Sequence, residues 1–211
     1  MSAPVATRLD LLRHGETEGG ARLRGRRCDD RLTATGHAAL IAATRERGGW
    51  DRIASSPLAR CRTFAEALAA ERGCPLAVDA RLAEYDFGDW DGQPFERLWA
   101  ERGDALAAFF GDPDALVPPN GEAATAFRAR VRAAFDELVA SVRGGHALVV
   151  GHGDELAQDA ADALALAGNA HARLEWPHAA LSGLRVIDDA DNGRSVSLIF
   201  HGATPGRDAA P

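Results

Sequence analysis

The chain has 211 residues, 46% of them hydrophobic, and a formal net charge of −7. That length buries a sizeable core without demanding more than one domain, and the acidic balance excludes a general attraction for nucleic acid or for an anionic membrane, so an anionic partner would have to be drawn by local arginines. Cys28, Cys61 and Cys74 form no C-x-x-C pair and cannot close a disulfide framework; with no secretory leader pattern at the amino terminus and no apolar run of membrane-spanning length, a cytoplasmic protein acting on a small molecule is expected.

The first predicted element is an apolar strand, Arg8 to Leu12, that breaks off into Arg13-His14-Gly15-Glu16-Thr17. Open α/β sheets place their ligand sites at the carboxyl ends of strands, so His14 is expected on rigid scaffold facing a crevice. Arg13 adds a planar guanidinium that can grip two phosphate oxygens, and Gly15 lets backbone approach a bound anion. The loop from Gly19 to Asp30 carries Arg22, Arg24, Arg26 and Arg27; most of these would be solvated charges, with some touching substrate.

Thr33 reads as the cap of a helix that carries Leu40 and Ile41 and stops at Gly48-Gly49. Trp50 to Ser55 reads as a second strand that Ser56-Pro57 turns into a helix, with Ser56 as cap, Arg60 in the first turn, and Leu58, Cys61, Ala65 and Leu68 on the buried face. An arginine there reinforces the anion site that a helix amino terminus already begins. Leu76 to Val78 is a brief third strand. From Arg81 to Pro119 the sequence is aromatic, acidic and glycine-punctuated, and Phe95, Leu98, Trp99, Leu106, Phe109 and Phe110 recur at helical spacing, which predicts a helical lid over the strand ends.

A long helix with Phe127, Val131, Phe135, Leu138 and Val142 on one stripe follows. Ala147 to Val150 is then a buried strand that delivers Gly151-His152-Gly153 to the same edge as His14. A further helix runs to about Gly168, Leu181 to Val186 and Val196 to Phe200 are the last strands, and Gly202 to Pro211 is a frayed tail. His37, His146, His171, His178 and His201 have no comparable setting and read as surface or capping residues. Together the elements predict an α/β fold, a three-layer α/β/α sandwich with a mostly parallel central sheet, as a single domain over 1–211 with a lid insertion at about 84–120.

A neutral imidazole beside arginines can attack phosphorus, because guanidiniums spread the charge of the transferring group. A two-step transfer needs a proton donor for the leaving oxygen, and Glu84, in an acidic and aromatic segment, has the setting that raises a carboxyl pKa. His152 would donate to a phosphoryl oxygen. Read singly, each histidine could equally be a hydrogen-bonded core residue; it is the pairing of two strand ends that favours a site. A metal centre built from His14, Glu16, His152, Asp154 and Glu155 is the competing reading, opposed by the surrounding arginines, which would repel a cation.

Leu12-Arg13-His14-Gly15-Glu16-Thr17, Ser55-Ser56-Pro57-Leu58-Ala59-Arg60, Glu84 with Phe87-Gly88-Asp89-Trp90-Asp91-Gly92, and His152-Gly153 resemble, in order, the motifs of the histidine phosphatase superfamily, the phosphoglycerate mutase-like fold. The resemblance implies that His14 is the phosphorylated nucleophile, that Arg13, Arg60 and His152 complete the phosphate pocket, that Glu84 is the proton donor, and that no metal or other cofactor is used. Gly15 and Gly153 are counted with the phosphate-binding positions. Within the family the chain is most similar to α-ribazole phosphatase-type members of cobalamin nucleotide-loop assembly. It departs at Gly20, where many members have asparagine and where Arg24 would replace the lost contact, and at Asp154-Glu155, where glycine and small apolar residues are usual. Two carboxylates at the mouth would repel a second phosphate or recognise a cationic or hydroxylated group. The expected activity is therefore metal-independent hydrolysis of a small phosphorylated metabolite, with α-ribazole 5'-phosphate as one candidate. The alternatives are a mutase, for which the chain offers little lid, and a weakly active phosphate-binding regulatory module.

Overall fold

The computed structural model describes residues 3–166 and 174–204. Its centre is a six-stranded sheet built from β1 (Val5–Arg13), β2 (Arg52–Ser55), β3 (Leu76–Val78), β4 (His146–Gly151), β5 (Leu181–Asp189) and β6 (Gly193–Ala203), in the order β3-β2-β4-β1-β5-β6. The first four of these positions run parallel, and the β5-β6 hairpin is added antiparallel to β1. The α-helices among the described residues are α1 (Ala34–Thr44), α2 (Ala59–Arg72), α3 (Phe95–Gly111), α4 (Ala124–Ser141) and α5 (Gly153–Ala163).

The layers follow from strand alternation. Leu9 and Leu11 of β1, with Ala147 and Val149 of β4, point to one face and pack against α4 and α5. Leu12, Leu148 and Val150 point to the other, where Leu40 of α1 and Phe64, Ala65 and Leu68 of α2 cover them. Because both faces are buried, the central strands read as continuous apolar runs. The interruption is Asp10, fully buried in β1, which accepts from Trp50 Nε1 at 3.0 Å and Arg8 Nε at 3.1 Å and lies 3.0 Å from His146 Nε2. His146 thus belongs to an interior charge cluster and is no ordinary surface residue.

The lid has a small core of its own. Tyr85, Phe87, Trp90, Leu98, Leu106 and Phe109 close on Phe127 and Val131 from the first half of α4. Phe95, Trp99 and Phe110, read as part of the same apolar stripe, remain exposed. Helix α3 is also broken at Arg102 (φ −138°, ψ 21°) beside Gly103, so no single stripe runs its whole length.

Several boundaries differ from those expected. Helix α1 stops at Thr44, whose hydroxyl bonds back to the Leu40 carbonyl at 2.9 Å, well before Gly48-Gly49. Helix α2 takes its cap through space: Asp29 Oδ1 accepts from Ala59 N at 2.6 Å, while Ser56 Oγ, expected as the cap, reaches only the Leu58 amide of the helix start, at 3.3 Å. Strand β6 runs through Ala203, so the start of the expected tail is strand. Helix α5 ends at Ala163, and Gly168, His171 and residues 205–211 lie outside the described part.

Candidate active site

Strands β1 and β4 are paired with Arg13 opposite Gly151, so the residues that follow each strand emerge side by side at one edge. The ring centroids of His14 and His152 are 5.3 Å apart. Their surroundings differ sharply. His14 Nδ1 lies 2.7 Å from the Gly15 carbonyl oxygen, and since a carbonyl only accepts, the proton sits on Nδ1. That leaves Nε2 unprotonated, and His14 lines a cavity of about 360 Å³. Burial first, then the positive charges of Arg60 and Arg13, hold its pKa well below the usual imidazole value, so the ring is neutral at neutral pH.

His152 is fully buried and does not border that cavity. Arg60 Nε donates to its Nδ1 at 3.2 Å, so its proton sits on Nε2 and goes to Ser56 Oγ at 2.7 Å. In this arrangement the His152 proton is held by the Ser56 hydroxyl. Arg60, also fully buried, donates further to the carbonyls of Cys28 at 2.7 Å and Gly25 at 3.2 Å, which leaves two of its five N–H groups for other partners, and its charge acts on both His14 and Glu84.

Arg13 does border the cavity. Its Nη1 donates to the Trp176 carbonyl, while its buried Nε has no hydrogen-bond partner among the described residues. A Cβ at position 153 would come within 3.2 Å of the Arg13 Cζ, so Gly153 makes room for the guanidinium at the start of α5. A Cβ on Gly15 would meet the Gly36 carbonyl oxygen at 2.2 Å, so its bareness seats the loop on α1.

Glu84 and Asp154 both border the same cavity. Burial, and then the negative charge of Asp154, push the Glu84 carboxyl up to about 8, against the pull of the Tyr85 amide and the two arginines. At neutral pH Glu84 thus carries a proton to give. The segment bearing it is held by Arg130 of α4, which donates to the carbonyls of Arg81 and Ala83, each at 2.6 Å, and of Glu84 at 3.0 Å while paired with Glu122. Arg130 escaped sequence reading because nothing local marks it.

The two departures separate. Asp154 borders the cavity, but Glu155 is fully buried and its Oε2 accepts from His152 N at 2.9 Å as half of a capping box, so only one carboxylate stands at the mouth. Arg24 borders the cavity too, with its guanidinium committed to Asp30 at 2.9 Å, the Glu18 carbonyl at 2.7 Å and the Gly20 carbonyl. It closes its own loop at the point where Gly20 departs from the family. Arg27 is paired with Asp86, and Asp91 accepts from the amides of Gly25 and Arg27, so the acidic run after Glu84 clamps the arginine loop. His178, expected at the surface, is exposed and also lies beside His14, with ring centroids 5.3 Å apart.

A neutral, oriented imidazole nitrogen in a cavity, flanked by guanidiniums and faced by a protonated carboxyl, is the equipment of phosphoryl transfer through histidine. The chain belongs to the histidine phosphatase superfamily (branch 1), whose model matches residues 9–198. Over 150 residues it is 35% identical to the Bifunctional protein Rv2228c of Mycobacterium tuberculosis, a match covering 69% of this chain and 41% of that protein, so the chain spans less than half the length of the first curated relatives it matches. It is 31% identical over 176 residues to the Probable phosphoglycerate mutase GpmB of Yersinia pestis, 82% of this chain and 81% of the relative. Among solved structures, mycobacterial glucosyl-3-phosphoglycerate phosphatase Rv2419c is similar with a TM-score of 0.83 at 30% identity, over 94% of this chain and 99% of that chain. A putative alpha-ribazole-5'-P phosphatase from Escherichia coli K-12, at TM-score 0.79 and 24% identity over 93% and 96% of the two chains, shares the fold. Among the described residues no helix is long and apolar enough to cross a membrane.

Proposed function

We propose that the protein is a metal-independent phosphomonoesterase that acts through phospho-His14 on a small phosphorylated metabolite. The observation that carries this reading is the His14 ring, with Nδ1–H fixed on the Gly15 carbonyl and Nε2 left to a cavity bordered by Arg13 and by a protonated Glu84. In the first step Nε2 bonds to phosphorus as the ester P–O bond breaks, and Glu84 gives its proton to the departing oxygen. In the second, Glu84 as carboxylate takes a proton from water, the water oxygen bonds to phosphorus, the N–P bond breaks, and inorganic phosphate leaves. Arg13 in the cavity and the buried Arg60, held on His152, supply positive charge that opposes the charge of the transferring group. Their placement also disfavours a cation at His14, which supports a reaction without metal.

Beyond the phosphoryl end, Phe87, Phe95 and Phe110 form an aromatic wall while Arg22, Arg24 and Asp154 supply polar groups. A flat organic body bearing hydroxyls suits this wall, which keeps α-ribazole 5'-phosphate among the candidates. The likeness to GpmB supports a second reading, a phosphoglycerate mutase-like transfer.

The test is a panel of p-nitrophenyl phosphate, α-ribazole 5'-phosphate, phosphoglycerates and sugar phosphates, each with and without chelator. Release of inorganic phosphate unaffected by chelator, with one substrate well ahead, is the expected result. Loss of release on chelation contradicts the metal-free step, interconversion of phosphoglycerates without phosphate release favours the mutase, and uniformly feeble rates favour a regulatory phosphate-binding module.

A further inference from the structure

Two rings of the lid have no place in its core. Phe95 and Phe110 stand exposed, although Phe109, beside one of them in the chain, is buried among Tyr85, Phe87 and Trp90. Both exposed rings border the cavity that holds His14, with Phe95 stacked on Trp99 and Phe110 edge-on to Phe109 at 5.3 Å. Apolar rings held at the rim of a cavity mark a surface that a ligand or partner covers.

Beside Phe110 lies a second, smaller cavity of about 70 Å³. Phe87, Phe110 and Asp154 border both spaces, so the two adjoin along a partition of two rings and one carboxylate. Tyr85, Phe109 and Phe127 also wall the second space. Its room comes from Ala124, which offers a methyl group where Phe127, about one turn further along α4, offers a ring. The polar neighbours have partners within the protein: Arg128 pairs with Asp114, Tyr85 Oη donates to the Glu122 carbonyl at 2.8 Å, and Gln158 Nε2 donates to Asp162 at 2.8 Å. Aromatic surface therefore dominates the wall. The space takes about five water-sized groups, roughly the bulk of one six-membered ring.

We infer, resting on the phosphomonoesterase reading, that this smaller cavity is the subsite for a ring at the far end of the substrate, so that the enzyme selects phosphate monoesters of uncharged, aryl-bearing alcohols. With the phosphoryl group at His14, the apolar body of the ester covers Phe95 and Phe110 and passes the partition. Asp154, the carboxylate at that partition, repels a substrate whose far end carries a carboxylate or a second phosphate. Phosphoglycerates, which carry such an end, rank below a ring-bearing ester.

The test is a series of phosphates whose leaving alcohols differ little in acidity: methyl phosphate, phenylalkyl phosphates with linkers of increasing length, and carboxyalkyl phosphates of matching length. The best phenylalkyl ester should exceed methyl phosphate by about 10- to 100-fold in kcat/KM, as for burial of one ring, and no carboxyalkyl ester should exceed methyl phosphate. Ala124→Leu, which fills the cavity, should reduce that ratio by about 10-fold, and Ala124→Val by less. Because the ratio compares two substrates on one sample, it does not depend on the fraction of enzyme that folds. A wild-type ratio below about threefold, or one unchanged in both Ala124 variants, overturns the inference while turnover itself upholds the phosphatase reading. If neither this series nor p-nitrophenyl phosphate is hydrolysed, phenylalkylphosphonates and methylphosphonate become the binding probes. A preference for the ring that the Ala124 variants remove then keeps the subsite and ends the phosphatase reading; no preference, or no binding, ends both.

Discussion

The ends of β1 and β4 look alike in sequence, each an apolar strand that breaks into a glycine and a histidine, and they part company in the third dimension. At the end of β1, His14 has one nitrogen tied to its own loop and one turned to a cavity. At the end of β4, His152 has both nitrogens tied, to Arg60 and Ser56, and its backbone amide held by Glu155. A strand end therefore delivers a histidine to the site, but the hydrogen bonds around the ring decide whether it reacts or braces. On the proposed reading His14 is the nucleophile, and His152 holds the Arg60 guanidinium, whose charge helps keep His14 neutral.

The same substitution at both positions breaks the comparison most directly. His14→Asn should lower kcat for an aryl phosphate by about 10⁴-fold or more, because no group remains to take the phosphoryl. His152→Asn should cost about 10- to 100-fold, since it loosens one buried partner of Arg60 without removing the reacting atom. Equal losses at the two positions would show that the rings share one role.

Proton supply sharpens the contrast, because the assignment to Glu84 leaves His152 with no proton to deliver. Glu84→Gln should lower turnover of alkyl phosphates, whose leaving oxygens need protonation, by about 10²- to 10⁴-fold, and that of p-nitrophenyl phosphate by much less. A uniform loss would place the proton elsewhere. The same variant has a stability signature. The folded Glu84 value, about 8, lies above the ordinary 4.5, so the native protein holds a proton that the unfolded chain has released. Stability from this group is present below 4.5 and is lost as pH rises through 8. Glu84→Gln should remove that part of the decline in a series of Tm measurements across the window.

The smallest effect concerns Asp154. Its negative charge helps raise Glu84, so Asp154→Asn should move the basic limb of the kcat/KM profile for an alkyl phosphate to lower pH. The acid limb, governed by His14, should stay below the ordinary imidazole range because Asp154 is not among the causes of its depression. A basic limb that does not move would separate Asp154 from proton transfer and leave it to substrate recognition.

How much of this was legible beforehand follows from how far each signal reaches along the chain. The apolar runs of β1 and β4, the brief β3, the stripe of α4 and the Thr33 cap are local patterns, and each was read from its own residues. Arg13, His14 and Glu84 could be named because each stands in a motif. What could not be read were groups whose meaning comes only from a distant neighbour: Asp29 capping α2, Arg130 gripping the Glu84 segment, Gly15 bare because Gly36 passes over it, and His178 brought to His14 by a turn far along the chain. Asp154 and Glu155 carry the same lesson within one helical turn, where one carboxylate borders the cavity and its neighbour is buried on the His152 amide.

The central claim is that a phosphoryl group resides covalently on Nε2 of His14 during turnover. Mixing enzyme with p-nitrophenyl phosphate, quenching in alkali to preserve phosphohistidine and mapping the peptides by mass spectrometry reads this directly. The account predicts an acid-labile phosphoryl adduct on the peptide carrying His14, absent from His14→Asn and retained in His152→Asn. An adduct on His152, or steady turnover with none on His14, would contradict it.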